Sequence, residues 1–246
     1  VISRENAVLC GTKWFESCFL ALSPEIKINW FAVDGDRVQA NDKLCQIQGN
    51  ARALLTAERS ALNFLQLLSA VATQTRCFVD AVAGTAAAIV DTRKTLPGLR
   101  IAQKYAVKCG GGTNHRLGLY DGILIKENHI LAAGGIATVI KNAQAILPLG
   151  TFVQIEVESL AELEQALTAG AEMILLDNFT LEQIREAVVI TRYQQQGDKK
   201  IILETSGNVT LQNVREIAET GIDRISIGSL TKNIRAIDLS LRLYDL

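Results

Sequence analysis

One stretch of the sequence, Asp91 to Ile130, gathers side chains suited to anion chemistry. Between Asp91 and His129 it carries Arg93, Lys94, Arg100, Lys104, Lys108, Arg116 and Lys126 against only Asp91, Asp121 and Glu127. The whole chain has a formal net charge of -1, so the excess is local, and a local basic cluster suits an anionic ligand better than a generally basic protein does. Arginine offers carboxylate or phosphate a planar fork with two parallel hydrogen bonds, and lysine offers a point charge. Further along, Glu156 and Asp177 supply negative charge, able to hold Mg²⁺ or to stabilise a cationic transition state. Gly207 and Gly228 precede helical patterns, where backbone N–H groups suit a phosphate. Anion clamps, a phosphate cradle and two acids together point to transfer chemistry on a phosphorylated sugar.

Such distant residues need a fold that brings them to one place. From residue 86 onward, short apolar runs (AAAIVDT, DGILIKEN, FVQIEVE, MILLDN, IILETS, RISIGS) alternate with helical segments such as LAELEQALTAGA, LEQIREAVVITRYQQQ and LQNVREIAET. Apolar strands joined through helices imply parallel pairing and right-handed crossovers, hence an α/β barrel or an open doubly wound sheet. Six such units are fewer than the eight of a regular barrel, so the expectation is an irregular, incomplete α/β barrel. Asp91 with Thr92 and Arg93, Lys126, Glu156 with Glu158, Asp177, Ser206 with Gly207, and Gly228 with Ser229 all fall at or just beyond strand C-terminal ends. Parallel barrels gather those ends on one face, where active sites are built. Glu156 and Glu158 share a strand face, and periodicity does not choose between them. Lys126 follows Ile123, Leu124 and Ile125, and a buried lysine must pair with an acid or meet an anionic ligand.

The rest of the chain is scaffold. Residues 51 to 83 carry Leu54, Ala57, Ala61, Phe64, Leu65, Leu68 and Ala72 at three- and four-residue spacing, one buried face of a long helix. Arg59 lies on its polar stripe, where an arginine is ordinarily just solvated. Residues 1 to 50 mix short β-like pieces with Asp-Gly and Asn-Asp turns and read as a small α+β unit.

At 246 residues and 48% hydrophobic composition the chain can bury a full core. A pI near 6.2 and the lack of a basic stripe with interleaved aromatics argue against nucleic-acid binding. No apolar run approaches the ~20 residues of a membrane span, and VISRENAVLC lacks a signal-peptide layout, so a soluble cytoplasmic protein is expected. Cys10, Cys18, Cys45, Cys77 and Cys109 are scattered without a C-x-x-C pair and read as reduced thiols. Cys109 precedes a glycine triplet, but no base stands near it in sequence, and it reads as an apolar filler.

The motifs carry a family resemblance. DTRKTLPGLR, GGGTNHRLGL, IKENH, EVE, LLDN and the late SGN and SIG segments, in this order, resemble quinolinate phosphoribosyltransferase over essentially the whole chain. The resemblance implies an N-terminal α+β open sandwich (residues 1–61 with the tail 235–246) and an α/β barrel over 62–234. It implies a homodimer or larger assembly converting quinolinate and phosphoribosyl pyrophosphate, with Mg²⁺, to nicotinate mononucleotide, pyrophosphate and carbon dioxide in NAD biosynthesis.

Carried over residue by residue, Thr92, Arg93, Lys94, His115, Arg116 and Lys126 match the groups around the dicarboxylate and pyrophosphate. Glu156 and Asp177 match the acids beside ribose and metal. Ser206, Gly207 and Asn208, with Gly228, Ser229 and Leu230, match the 5′-phosphate site, and Arg59 matches an arginine that enters the neighbouring subunit's site. Lys94, Lys126, Glu156 and Asp177 are the implied catalytic set. Relatives generally begin with a further N-terminal segment, whereas this sequence starts at VISREN. The rival readings are a nicotinate-specific phosphoribosyltransferase, a Schiff-base aldolase with Lys126 as nucleophile, and a non-catalytic sugar-phosphate binding protein.

Overall fold

A computed structural model describes residues 1–195 and 200–244. In chain order the elements are β1 (Ile2–Ser3), β2 (Ala7–Val8), α1 (Thr12–Leu20), β3 (Lys27–Trp30), β4 (Arg37–Val38), β5 (Cys45–Gln48) and α2 (Ala51–Ala81). There follow β6 (Ala88–Val90), α3 (Arg100–Cys109), β7 (Ile123–Ile125), α4 (Glu127–Ala133), α5 (Ile136–Ala145), β8 (Val153–Val157) and α6 (Leu160–Thr168). The chain continues with β9 (Met173–Asp177), α7 (Leu181–Gln194), β10 (Ile202–Ser206), α8 (Val214–Ala218), β11 (Arg224–Ser226), α9 (Ser229–Lys232) and β12 (Leu239–Ser240). They fall into two compact units. The first comprises Val1–Cys77, Lys94–Thr113 and Ser229–Leu246, the second Phe78–Arg93 and Asn114–Gly228.

The second unit is built on one parallel sheet in the order β6-β11-β10-β9-β8-β7. This is the cyclic order of a barrel opened between β6 and β7. Each of the six apolar runs supplies one strand, and the expected irregular, incomplete α/β barrel is the observed architecture. The strands are short and nearly all buried, as sheets covered by helices require. Their helices start where the sequence offers caps. Ser159 accepts from the Glu162 N–H ahead of α6, and Thr180 and Gln183 form a reciprocal capping box ahead of α7. The helix read from LEQIREAVVITRYQQQ ends at Gln194, and its last residue, Gln196, lies outside the described residues. The segment LQNVREIAET is helical only over Val214–Ala218.

In the first unit three two-stranded ladders, β1-β12, β2-β4 and β3-β5, surround α1 and the N-terminal part of α2. Their core joins Phe15, Phe19 and Leu44 to Leu54, Ala61 and Leu65 of α2, the apolar face that the spacing predicts. Among the described residues no helix is long and apolar enough to cross a membrane.

Candidate active site

The second unit contains most of the candidate residues. The sheet register sets them in layers, because parallel partners share a face. Glu156 of β8 is level with Leu175 of β9, Glu204 of β10, Arg224 of β11 and Ala88 of β6. One step toward the strand ends, Asp177 is level with Ser206, and Ser226 with Val90. Thr92 and Arg93 follow β6, Lys126 follows β7, and Gly207 with Asn208 follows β10.

Two half-buried guanidiniums, Arg93 and Arg116, form the basic part of this site. The Arg93 Nε is buried without a hydrogen-bond partner, the kind of donor a ligand oxygen would satisfy. Arg116 is held by one bond, Nη1 to the Gly122 carbonyl at 2.9 Å. Burial first, and then the positive charge of Arg93, depress the Arg116 pKa, and Asp121 only partly offsets them. Two like charges that oppose each other while partly desolvated are unfavourable alone and become favourable once an anion joins them.

Asp91 fixes the segment that carries Arg116. This fully buried carboxylate accepts from the Asn114 Nδ2 at 2.6 Å and from the His115 N–H at 2.8 Å. His115 then points into the barrel. Its Nδ1 accepts from the Arg116 N–H at 2.7 Å, so Nδ1 carries no proton, and its Nε2 faces the Gln154 Oε1 at 2.7 Å. Gln154 in turn donates to Glu204 at 3.2 Å, and Arg224 approaches the same Glu204 oxygen at 3.1 Å. The chain from His115 through Gln154 and Glu204 to Arg224 therefore defines a neutral imidazole with its proton on Nε2.

The acids are sorted by environment. Glu156 is buried and receives Lys126 Nζ on both oxygens, at 3.0 and 2.8 Å. Glu158 lies beyond the strand, exposed, and the ambiguity left by periodicity disappears. Lys126 differs from the sequence expectation in one respect: its side chain is 45% exposed, because β7 ends at Ile125 and the lysine stands at the mouth. It does pair with an acid. The His129 Nδ1 accepts from the Lys126 backbone N–H at 3.0 Å and fixes this turn into α4.

Asp177 accepts from the Ser206 hydroxyl at 2.7 Å and from the Asn178 Nδ2 at 2.9 Å, locking the ends of β9 and β10 together. Gly207 and Asn208 follow with φ of 99° and 51°. A Cβ on Gly207 would lie 2.1 Å from the Asn178 Oδ1, so only glycine fits this left-handed corner. The glycine stands well ahead of α8, so it acts here through its own turn rather than through a helix start.

The first unit holds the remaining candidates. Arg59 and Lys94 are exposed there, Ser229 is half-buried at the start of α9, and Leu230 is buried. The Lys94 carbonyl accepts from the Thr231 hydroxyl at 2.8 Å.

Gln154, Glu204 and Arg224 escape a reading of strand C-terminal ends because the first two sit inside strands and Arg224 begins one. Their signal is a polar residue at an inward register position of an otherwise apolar run. For a metal, Glu156 and Asp177 offer hard oxygen donors, and a hollow of about 170 Å³ beside Glu156 is lined also by Glu127, Glu158 and Glu162. Magnesium is commonly held by one or two carboxylates together with substrate phosphates, and this donor set fits that mode.

The sequence matches two family models, "Quinolinate phosphoribosyl transferase, N-terminal domain" over residues 1–69 and "Quinolinate phosphoribosyl transferase, C-terminal domain" over residues 71–242. It is 41% identical to a nicotinate-nucleotide pyrophosphorylase (carboxylating) of Mycobacterium leprae, covering 99% of this chain and 85% of the relative. It is 39% identical to a probable nicotinate-nucleotide pyrophosphorylase (carboxylating) of Synechocystis, covering 98% and 81%. The structure of the nicotinate-nucleotide pyrophosphorylase from Francisella tularensis superposes with a TM-score of 0.92 at 47% identity, covering 97% of this chain and 83% of that one.

Proposed function

The chain belongs to the quinolinate phosphoribosyltransferase family, and from that premise we propose how its residues carry out decarboxylating phosphoribosyl transfer in NAD biosynthesis. The observation that carries the assignment of parts is the buried, unmet Arg93 Nε, with Arg116 as a second partly desolvated guanidinium whose charge opposes that of Arg93. Quinolinate has two carboxylates on adjacent ring carbons. Two arginines satisfy both, whereas a pyridine with one carboxylate leaves one guanidinium without a counter-charge.

With quinolinate clamped, its ring nitrogen lone pair attacks the anomeric carbon of phosphoribosyl pyrophosphate, and pyrophosphate leaves with the carbon–oxygen electron pair. Positive charge grows on the ribose during this displacement. Glu156, held in place by Lys126, and Asp177, held by Ser206, present carboxylates to it. The pyridinium formed then accepts the electron pair of the adjacent carbon–carboxylate bond as carbon dioxide departs, and the ring carbon takes a proton. Catalysis on this account is positioning and electrostatics, with no covalent enzyme intermediate.

Glu156 and Asp177 would hold Mg²⁺, whose contribution is to neutralise pyrophosphate as it leaves. Thr92 and Lys94 complete the anion side, and His115 serves it by positioning, its Nδ1 accepting from the Arg116 N–H. Ser206, Gly207, Asn208, Gly228, Ser229 and Leu230 receive the 5′-phosphate, for which the Gly207 corner supplies a close backbone approach. Arg59 completes the site of a neighbouring subunit in a homodimer or larger assembly. Free cysteines among the described residues suit a reducing cytoplasm.

The test is stoichiometry. Quinolinate labelled in the carboxylate next to the ring nitrogen should release one carbon dioxide for each pyrophosphate formed. Turnover of nicotinate with no carbon dioxide would overturn the decarboxylating assignment. A substrate adduct at Lys126 trapped by borohydride would replace it with Schiff-base chemistry.

A further inference from the structure

Two thiols that the transfer chemistry does not use meet in the first unit. Cys10 follows β2, Cys109 ends α3, and with an Asp34 oxygen their sulfurs all lie within 4.8 Å of one another. Their backbones are anchored. The Cys10 N–H donates to the Ser69 Oγ at 3.0 Å, and that hydroxyl donates back to the Cys10 carbonyl at 3.2 Å. Asp34 accepts from the Gly11 and Thr12 N–H groups through one oxygen, at 3.0 and 3.1 Å, and from the Tyr105 hydroxyl through the other at 2.9 Å. After Cys109, Gly110 packs so closely that a Cβ would lie 2.5 Å from the Ala72 carbonyl oxygen.

The two sulfurs are not equivalent. Cys10 is fully buried, whereas Cys109, on the same helix as the exposed Tyr105, is half-buried. The neighbouring Cys10 thiol, outweighing burial and aided by Tyr105, lowers the Cys109 pKa below the usual thiol value. The nearness of Cys109 and its own burial push the Cys10 pKa up. A half-buried sulfur with a lowered pKa, within 4.8 Å of a fully buried second thiol, is the arrangement of a redox-reactive cysteine and its resolving partner.

We propose that Cys109 and Cys10 form a peroxide-reactive pair in which Cys109 attacks the oxidant and Cys10 resolves it to a disulfide. With hydrogen peroxide as oxidant, the Cys109 thiolate attacks one peroxide oxygen, the O–O bond breaks, and hydroxide leaves to be protonated to water. The Cys10 sulfur then displaces hydroxide from the Cys109 sulfenic acid, its proton leaving with that hydroxide as a second water. Two thiols and one hydrogen peroxide become one disulfide and two waters. The sulfurs need only close from their present separation to the ~2.05 Å of an S–S bond.

The experiment uses the intact protein and one equivalent of hydrogen peroxide. Timed alkylation with peptide mapping should show Cys109 consumed about tenfold faster than the exposed Cys77, an internal control for access alone. The oxidised protein should lose the mass of two hydrogen atoms and yield a linked peptide joining Cys10 to Cys109. In Cys10→Ser the reaction should stop at a sulfenic acid on Cys109, trapped by a cyclic 1,3-diketone. Faster oxidation of Cys77, or linkage of any other pair, would overturn the proposal. So would a native mass spectrum of the purified protein in which a bound thiophilic cation shields both sulfurs.

Discussion

Glu204 has no accessible surface, and it is the negative centre around which Arg224 and Gln154 are arranged. Glu204→Ala removes that centre and leaves the Arg224 charge, 16% exposed, without its acid, at a cost of about 3–5 kcal/mol by urea unfolding. Glu204→Gln keeps the shape and should cost less. The chain contains only two histidines, so the tautomer of His115 is directly observable by ¹⁵N NMR. The account predicts an Nε2-protonated, uncharged ring at neutral pH; an imidazolium signal would contradict it. Strand periodicity did not separate Glu156 from Glu158, which share a face; the motif resemblance named Glu156, and the end of β8 at Val157 leaves Glu156 buried and Glu158 exposed. Lys126 was legible as a residue that must pair, but its exposure was not, since three apolar neighbours do not reveal that the strand stops before it.

The ends of β9 and β10 and the edge of β11 carry two element-level expectations. Gly207→Ala places a Cβ against Asn178 at a φ of 99°, a strain of order 1–3 kcal/mol. It should raise the KM for phosphoribosyl pyrophosphate more than that for quinolinate; equal effects would argue against a phosphate role for this corner. Asp223, next to β11, accepts from the Leu203 N–H at 2.9 Å, Arg192 at 2.7 Å and Lys200 at 2.6 Å. Burial pushes its pKa up, but Lys200, Arg192 and the N–H together outweigh burial and bring it below 3.8. A depressed carboxyl stabilises the fold fully above its unfolded value and loses that contribution as pH falls through the folded value. Acid titration of stability should therefore show wild type converging on Asp223→Asn below about pH 3.8, after a clear advantage at pH 6. Parallel curves at all pH values would exclude this linkage. The strand runs themselves were plain from composition, whereas the cross-strand register that brings Glu204 level with Glu156 depends on long-range pairing and no local pattern encodes it.

At the scale of the molecule, alternating apolar runs and helices sufficed for the barrel class, and the opening between β6 and β7 agrees with a count of six units. The Cys10–Cys109 meeting was illegible because 99 positions separate the two residues. The proposed oligomer makes its own prediction: Arg59→Ala subunits mixed with Lys126→Ala subunits should regain activity through sites that combine one intact copy of each. Mixtures no more active than their parents would remove Arg59 from the neighbouring site. The central claim is that Arg93 and Arg116 are arranged for two carboxylates, and calorimetric titration of wild type and Arg116→Ala with quinolinate and with nicotinate tests it most directly. The account predicts that the substitution weakens quinolinate by about 2–5 kcal/mol, with a much smaller effect on nicotinate. Unchanged quinolinate affinity, or an equal loss for both ligands, would contradict it.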